Sequence, residues 1–212
     1  MKKYLAEGIG TFFFVLTILL AANNPSIAPL APLAISAVYM AMIYAGGHIS
    51  GAHYNPAVTL AVLMRGKIER DDALWYVVVQ ILGAVVAAII GGFLLKCGYN
   101  LDTQMHVHKS SICSVLAEFF GTFALAYVVL NVATTRSNAG NSHYGLAIGF
   151  IVLAATYGLG GISGGAFNPA LAVGASLAGM FNWADIWIYL LGTLLGAAAA
   201  ATVFQIVYGN GE

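Results

Sequence analysis

The tripeptide Asn-Pro-Ala occurs twice in the chain, each time after a glycine-rich run and before a short apolar stretch. The residues are Asn55, Pro56, Ala57, Asn168, Pro169 and Ala170. Asparagine is a preferred N-cap residue and proline is favoured at the first helical position, so each copy predicts a helix start. A helix start offers backbone N–H donors and about half a positive charge, and asparagine adds an NH₂ donor. Such a pair can hydrogen-bond an electron-rich atom but contains no group that would break a covalent bond.

A second landmark repeats in the same order. The segment AEGIGTFF at Ala6–Phe13 returns as AEFFGTFA at Ala117–Ala124, and the offset between these copies nearly equals the offset between Asn55 and Asn168. This nearly constant spacing predicts a duplicated unit within a single domain, with repeat one at about residues 1–110 and repeat two at about 111–212. Because the first landmark recurs deep in the chain, we interpret the apolar N-terminus as structural and not as a signal peptide.

The composition predicts a membrane protein. Hydrophobic residues make up 60% of the chain and charged residues 8%, whereas soluble domains carry about 25% charged residues. The formal net charge is zero, which gives no indication of a nucleic-acid partner. The sequence presents no nucleophile–base set and no metal-ligand cluster, so we expect neither an enzyme nor a bound cofactor.

Six apolar segments approach the ~20 residues that a bilayer-spanning helix needs. They are approximately Tyr4–Ala22, Pro32–Gly47, Ala73–Leu95, Ser114–Ala133, Tyr144–Leu159 and Ile186–Tyr208. Two further pieces, Asn55–Leu63 and Asn168–Ala178, would each rise only ~15 Å, about half of the hydrocarbon core. Each repeat therefore contains two spans, a half-span and a third span. Because three crossings leave the chain on the opposite side of the membrane, the second repeat must be inserted in the inverted orientation. The predicted fold class is an all-α membrane protein with six transmembrane helices and two half-helices in two inverted repeats.

The half-spans imply a polar path across the membrane. A helix that starts in mid-membrane leaves unpaired donors in hydrocarbon, which is tolerated only where they line a cavity. Inverted repeats would bring the two helix starts together from opposite faces, where transport sites are found.

The positive charges predict the orientation. One side would hold Lys2, Lys3, Arg65, Lys67, Arg70 and Arg136, and the other Lys96 and Lys109. By the positive-inside rule this difference places both termini in the cytoplasm. We expect a multi-pass protein of the cell's inner or plasma membrane.

These motifs resemble those of the aquaporins, the major intrinsic protein family, over nearly the full chain. GHISGAHYNPAVT and GISGGAFNPA resemble the family's two pore loops, and AEGIGTF and AEFFGTF resemble the starts of its first and fourth helices. The segments from Trp75 to Gly83 and from Trp183 to Gly196 resemble its third and sixth helices. The resemblance implies a bacterial-type aquaporin with an aquaporin-like fold, one pore per subunit, a homotetramer and membrane lipids as surroundings.

Glu7 and Glu118 are the only acidic residues inside the predicted spans. An intramembrane carboxylate is costly, and three roles compete: a proton relay, a cation site and a structural brace. Equivalent positions in the two repeats favour the brace, and in the resembling family the matching glutamates accept hydrogen bonds from the loop N–H groups. For His48 and His53, which flank the first loop, we expect packing and loop hydrogen bonding rather than zinc ligation, with His48 among the loop-bracing residues.

Two cysteines, Cys97 and Cys113, bracket a polar segment that contains His106 and His108 and would form an external loop. A disulfide and a metal site both remain open, although the spacing fits no common zinc pattern. We favour two free thiols and expect no metal.

The residue after the second Asn-Pro-Ala departs from the resembling family. Most aquaporins carry arginine there, at the narrowest external constriction, whereas this chain has Leu171. The family's register implies that Ile35, Thr156 and Gly165 complete the selectivity filter. A filter without charge, aromatic ring or histidine predicts a wider and more apolar opening than that of a strict water channel. The aspartate of typical glycerol facilitators is also missing, so glycerol specificity is not supported.

Together these features predict a passive channel for water and small uncharged solutes such as glycerol, urea, ammonia or peroxide. One alternative is a coupled secondary transporter, which can also use inverted repeats and broken helices. The other is a non-conducting scaffold of the same fold. A bare ion loses about 20 kcal/mol of solvation on entering a low dielectric before relaxation, so we expect at most a weak cation leak.

Overall fold

The computed structural model describes residues 1–99 and 111–209, and their regular elements are helices. The helices are α1 (Lys2–Asn23), α2 (Ala31–Ser50), α3 (Pro56–Met64), α4 (Arg70–Tyr99), α5 (Ser111–Thr134), α6 (Tyr144–Ser163), α7 (Pro169–Leu177) and α8 (Ile186–Tyr208). Short 3₁₀ turns at Ala28–Leu30 and Trp183–Asp185 lead into α2 and α8.

Six of these helices are long and apolar enough to cross a bilayer, namely α1, α2, α4, α5, α6 and α8, with α2 and α8 joined to their 3₁₀ turns. Helices α3 and α7 have nine residues each, so each reaches across about half of a hydrocarbon core ~30 Å thick. The predicted fold class, six spanning helices and two half-helices, is confirmed.

The packing repeats in the two halves and then crosses between them. Helix α1 packs on α2 and α4, and α5 packs in the same way on α6 and α8. Helices α2 and α6 meet between the halves. Each half-helix packs on the last helix of the other half, α3 on α8 and α7 on α4. The two halves therefore enclose each other's half-helices and do not form separate units.

The half-helices run in opposite directions. The end of α3 lies near the end of α8, because Gln205 Nε2 donates a hydrogen bond to the carbonyl of Met64 at 2.8 Å. The segment after α7 lies near the start of α8, since the ring of Phe181 stacks on that of Tyr189 with centroids 4.4 Å apart. Helices α3 and α7 therefore diverge from a common centre towards the two ends of α8, as inverted repeats require.

Glycines allow the closest helix crossings. A Cβ atom at Gly83 would lie 2.5 Å from the carbonyl oxygen of Gly8, where α4 crosses α1. Gly196 is the counterpart of Gly83 in the second repeat. A Cβ atom at Gly196 would likewise lie too close to the carbonyl oxygen of Phe119, where α8 crosses α5. A methyl group would separate the backbones at either crossing, so the small residue serves packing.

Two helices run past the apolar segments that the sequence marks. Those segments end at about Gly47 and Leu159, whereas α2 and α6 continue to Ser50 and Ser163. Each stops where the next residue is a left-handed glycine, Gly51 with φ +85° and Gly164 with φ +93°. Packing against neighbouring helices outweighs the modest helix propensity cost of glycine, and the left-handed C-terminal residue ends the helix.

Candidate functional site

The two Asn-Pro-Ala segments meet at the centre of the molecule. Asn55 caps α3 by accepting a hydrogen bond from Ala57 N at 2.8 Å, and Asn168 caps α7 by accepting one from Ala170 N at 2.9 Å. Each side-chain NH₂ then crosses to the other repeat. Asn55 Nδ2 donates to the carbonyl of Phe167 at 2.8 Å, and Asn168 Nδ2 donates to the carbonyl of Tyr54 at 2.9 Å. Each amide uses its oxygen and one hydrogen in these bonds and retains one N–H.

The residues before the asparagines have a left-handed backbone. Tyr54 has φ +50° and Phe167 has φ +48°, a conformation that costs about 1–2 kcal/mol for a non-glycine residue. Their rings occupy the space in which Gly10 and Gly121 would otherwise carry a Cβ atom. These contacts fix the direction in which each loop presents its asparagine.

Glu7 holds the first loop. Its Oε1 accepts hydrogen bonds from Ser50 Oγ at 2.7 Å and from His53 N at 2.9 Å. Its Oε2 accepts from Tyr54 N at 2.7 Å and from Gln80 Nε2 at 2.8 Å. The carboxylate is fully buried, and these four donors provide charge-assisted hydrogen bonds that offset the loss of hydration.

Glu118 holds the second loop by the same pattern. Its Oε1 accepts from Ser163 Oγ at 2.6 Å and from Ala166 N at 2.9 Å, and its Oε2 accepts from Phe167 N at 2.6 Å. In each repeat a tyrosine of the last helix also donates a hydrogen bond to the loop. Tyr189 OH donates to the carbonyl of Ser163 at 2.8 Å, and Tyr76 OH donates to that of Ser50 at 2.7 Å.

These contacts occupy the N–H groups of the loops. In the second loop Gly165 N donates to Ser163 Oγ at 3.0 Å, and the next two N–H groups donate to Glu118. Gly164, Gly165 and Ala166 line a cavity. The N–H groups that these residues would bring to the cavity are therefore already paired within the loop.

The first repeat has an additional polar network that sequence reasoning missed. Gln80 Nε2 lies 3.1 Å from Thr59 Oγ1, which also lies 3.1 Å from His53 Nδ1. The second repeat has Ala166, Ala172 and Thr193 at the corresponding positions. Aligning the two repeats by their nearly constant spacing could have revealed this difference. The alignment pairs three polar residues of the first repeat with less polar residues of the second.

His48 lies at the end of α2, where its side chain is exposed and lines a second cavity. The hydrogen bonds described for the first loop come from Glu7, Ser50, Tyr76 and Asn168, with a further one from Tyr39 OH to the carbonyl of His53 at 3.1 Å. A bracing role for His48 stays a prediction.

A cavity of about 400 Å³ extends from the two asparagines towards the side opposite the chain termini, and we call it the distal cavity. Its wall includes the four positions named for the selectivity filter: Ile35, Thr156, Gly165 and Leu171. Leu171 and Ile35 are otherwise buried. Gly165 has φ +65°, which favours glycine, and a Cβ atom there would lie 3.0 Å from Gly160 Cα. The structure therefore brings the four residues together around one cavity.

A second cavity of about 1000 Å³ opens on the side of the chain termini, and we call it the terminal-side cavity. It reaches His53, two residues before Asn55, and its wall includes the charged residues Lys67, Glu69, Asp72 and Arg136. The distal cavity has no Asp, Glu, Lys, Arg or His among its described lining residues. The two sides of the asparagine pair thus differ in charge.

Cys97 and Cys113 are both exposed and free, which agrees with the favoured hypothesis and not with a disulfide between them. His106, His108 and Lys109 lie outside the described residues.

Six spanning helices around two opposed half-helices, with a cavity on each side of crossed asparagine caps, define the architecture of a membrane channel. The solved structure of the aquaglyceroporin from Plasmodium falciparum has this fold. It matches with a TM-score of 0.81 over 97% of this chain and 96% of that chain, at 20% sequence identity.

Sequence comparisons identify the family. The model of the family described as Major intrinsic protein matches residues 1–204. Aquaporin NIP1-1 of Zea mays is 34% identical over 218 residues, which cover 98% of this chain and 75% of that protein. Glycerol uptake facilitator protein-like 6 of Lactiplantibacillus plantarum is 36% identical over 221 residues, which cover 98% of each. The chain belongs to the major intrinsic protein family, as its motifs predicted.

Proposed function

We propose that the protein is a passive membrane channel for water and small uncharged solutes, with a path that joins the two cavities past the asparagine pair. The observation that carries this proposal is the crossed pair of helix caps. Asn55 and Asn168 each retain one side-chain N–H at the point where the half-helices begin. Membership of a family of channel proteins supports a channel rather than an enzyme.

The central chemistry disfavours cations. The starts of α3 and α7 each present about half a positive charge to the path, and the asparagine N–H groups point the oxygen of a passing water towards them. A cation meets the same positive ends after losing its hydration shell, a cost of order 20 kcal/mol before relaxation. Neutral solutes do not carry this cost.

The two buried carboxylates support a channel over a coupled transporter. A coupling site or proton relay built on these two carboxylates would need them to be exposed to the path. Glu7 and Glu118 have no exposed surface, and both oxygens of each accept hydrogen bonds from the loops. We therefore assign Glu7 and Glu118 to bracing the loops. We also assign one loop to each repeat, with repeat one at about residues 1–110 and repeat two at about 111–212.

We assign Ile35, Thr156, Gly165 and Leu171 to the selectivity filter of the distal half. Leucine replaces a charged side chain at this position, and glycine adds no side chain opposite it. The filter is therefore uncharged, and it is open to small neutral solutes besides water, such as glycerol, urea, ammonia and peroxide. The relative named for glycerol uptake supports this breadth.

We further propose a homotetramer in the inner or plasma membrane, with both termini in the cytoplasm. The terminal side carries Lys2, Lys3, Arg65, Lys67, Arg70 and Arg136, so the positive-inside rule makes it cytoplasmic. The distal cavity then opens to the outside. Mass measurement of the purified protein in detergent tests the oligomeric state.

Stopped-flow light scattering on proteoliposomes tests the channel. Inward gradients of water, glycerol and urea should each relax faster than in protein-free vesicles, with a low activation energy and without an ion gradient. Flux that requires an ion gradient would indicate a coupled transporter. Flux equal to that of protein-free vesicles would indicate a scaffold.

A further inference from the structure

We propose that residues 158–161, near the end of α6, form a flexible turn that opens and closes within the folded protein and so lets the distal mouth widen. We call this segment the glycine turn, because it contains Gly158, Gly160 and Gly161. The inference rests on the proposed channel function, since it concerns how the mouth of that channel moves.

The glycine turn is where the two repeats differ. Helices α2 and α6 end alike, each in a Ser-Gly pair whose serine hydroxyl donates to the bracing glutamate of its repeat. Counting back from these serines pairs Ala45 with Gly158 and His48 with Gly161. Glycine is the least favourable residue in a helix interior after proline, because its backbone loses the most freedom there. The end of α6 is therefore intrinsically weaker than the end of α2.

Packing within the subunit does not explain these glycines. A Cβ atom at Gly158 or Gly161 would have no atom of the described residues within 4 Å. Earlier in the same helix, by contrast, a Cβ atom at Gly149 would lie 2.7 Å from Met40 Cε. A close contact with α2 therefore accounts for Gly149, whereas the glycine turn loses helix stability without gaining a closer contact.

The glycine turn lies between two fixed points of α6. After it, Tyr189 OH donates to the carbonyl of Ser163 at 2.8 Å, and Ser114 Oγ donates to the carbonyl of Ile162 at 3.2 Å. Before it, Val152 is buried in the hydrophobic core. Movement is therefore confined to the glycine turn and leaves the rest of α6 in place.

Gly160, inside the glycine turn, touches two of the positions assigned to the filter. A Cβ atom at Gly165 would lie 3.0 Å from Gly160 Cα, and one at Gly160 would lie 3.6 Å from Thr156 Cγ2. Because Gly160 and Gly161 line the distal cavity, water in that cavity can pair with the backbone groups that an opened turn releases, as non-helical backbone in a membrane requires. Opening shifts Gly160 relative to Thr156 and Gly165, and the width of the mouth changes with it.

Hydrogen exchange followed by mass spectrometry on the protein in detergent tests the flexibility without reference to transport. The comparison is between the peptide over residues 158–164 and its counterpart over 45–51 in α2, both corrected for intrinsic exchange rates. We expect the α6 peptide to exchange about 25-fold faster, from about fivefold for each of the two additional glycines. Equal protection of the two peptides would overturn the inference.

The double variant Gly158→Ala, Gly161→Ala stiffens the turn without filling space that the described residues occupy. Its α6 peptide should exchange about 25-fold more slowly than that of the wild type. Stopped-flow light scattering on proteoliposomes should show the ratio of glycerol to water permeability falling several-fold. Unchanged exchange, or an unchanged permeability ratio, would overturn the inference. If the variant does not fold, the wild-type exchange comparison still decides the question.

Gly92→Ala is the matched control. Gly92 is also a helical glycine whose Cβ atom would meet no described atom within 4 Å, but it lies in α4 and does not line the distal cavity. This variant should leave both the exchange of the α6 peptide and the permeability ratio at wild-type values. An equal fall of the ratio in Gly92→Ala would show that the effect does not come from the glycine turn.

Two further results separate this inference from the proposals on which it depends. Proteoliposomes that conduct no water above the protein-free rate would refute the channel function, whereas water conduction without glycerol conduction would refute only the widening. Loss of the wild-type oligomer mass in the double variant would show that the glycines serve contacts between subunits, and this would overturn the inference.

Discussion

The carboxylate of Glu118 provides a direct test of how the second loop is held. In Glu118→Gln one oxygen is retained and the other becomes NH₂. The wild-type Oε1 accepts from Ser163 Oγ and Ala166 N, and Oε2 accepts from Phe167 N at 2.6 Å. In the better orientation the amide keeps its oxygen at the Oε1 position. Its NH₂ then faces the N–H of Phe167, so two donors oppose each other.

The size of the effect follows from this count. One buried donor left unpaired costs about 1–3 kcal/mol, and the opposite amide orientation would leave a second one unpaired. For a chain of this length each kcal/mol lowers the melting temperature by roughly 2–4 °C. We therefore expect the melting temperature of Glu118→Gln to fall by several degrees, with a lower yield of folded protein.

Glu69→Gln is the matched control, because it makes the same chemical change at an exposed side chain. Thermal unfolding in detergent, followed by size-exclusion chromatography, should show a loss for Glu118→Gln and a change within about 0.5 kcal/mol for the control. The Glu118→Gln protein that does fold should keep the wild-type ratio of urea to water permeability. Normal stability combined with loss of a pH-dependent flux would refute the bracing role and favour a proton relay.

Two further substitutions test the filter and the loop contacts. Leu171→Arg adds the fixed donors and positive charge of a guanidinium and narrows the distal cavity, so it should lower the permeability of urea or glycerol relative to that of water. An unchanged or higher ratio in folded protein would show that Leu171 does not line the selecting constriction. Gly121→Ala places a methyl group against the ring of Phe167 and should cost about 1–3 kcal/mol, seen as lost folded yield. In Gly92→Ala the methyl group meets no neighbour within 4 Å, so equal losses in the two variants would contradict the packing argument.

The starts of the half-helices could be read from the sequence because the cause is local. Asparagine as N-cap and proline at the first helical position determine where α3 and α7 begin, and both start at the predicted proline. The positions at which the helices end were harder to predict from the sequence. The sequence has several glycines near the end of α6, and only the tertiary fold selects Gly164 as the left-handed stop.

The crossed amide bonds could not be predicted from the sequence. They join Asn55 to the carbonyl of Phe167 and Asn168 to that of Tyr54, residues that are far apart in the chain. Their geometry depends on a left-handed backbone at Tyr54 and Phe167, where aromatic residues rarely adopt this conformation. Repeat spacing indicates that the two loops are equivalent but does not show which atoms they exchange.

The buried glutamates link the stability of the loops to the chemistry of the path. By accepting the loop N–H groups, Glu118 holds the second loop in place and so positions Asn168, whose side-chain NH₂ crosses to the carbonyl of Tyr54. The donors to Glu118 described above come from Ser163, Ala166 and Phe167, whereas Leu171 lies on the wall of the distal cavity. We therefore expect a substitution at Leu171 to change which neutral solutes pass while the loops remain held as before.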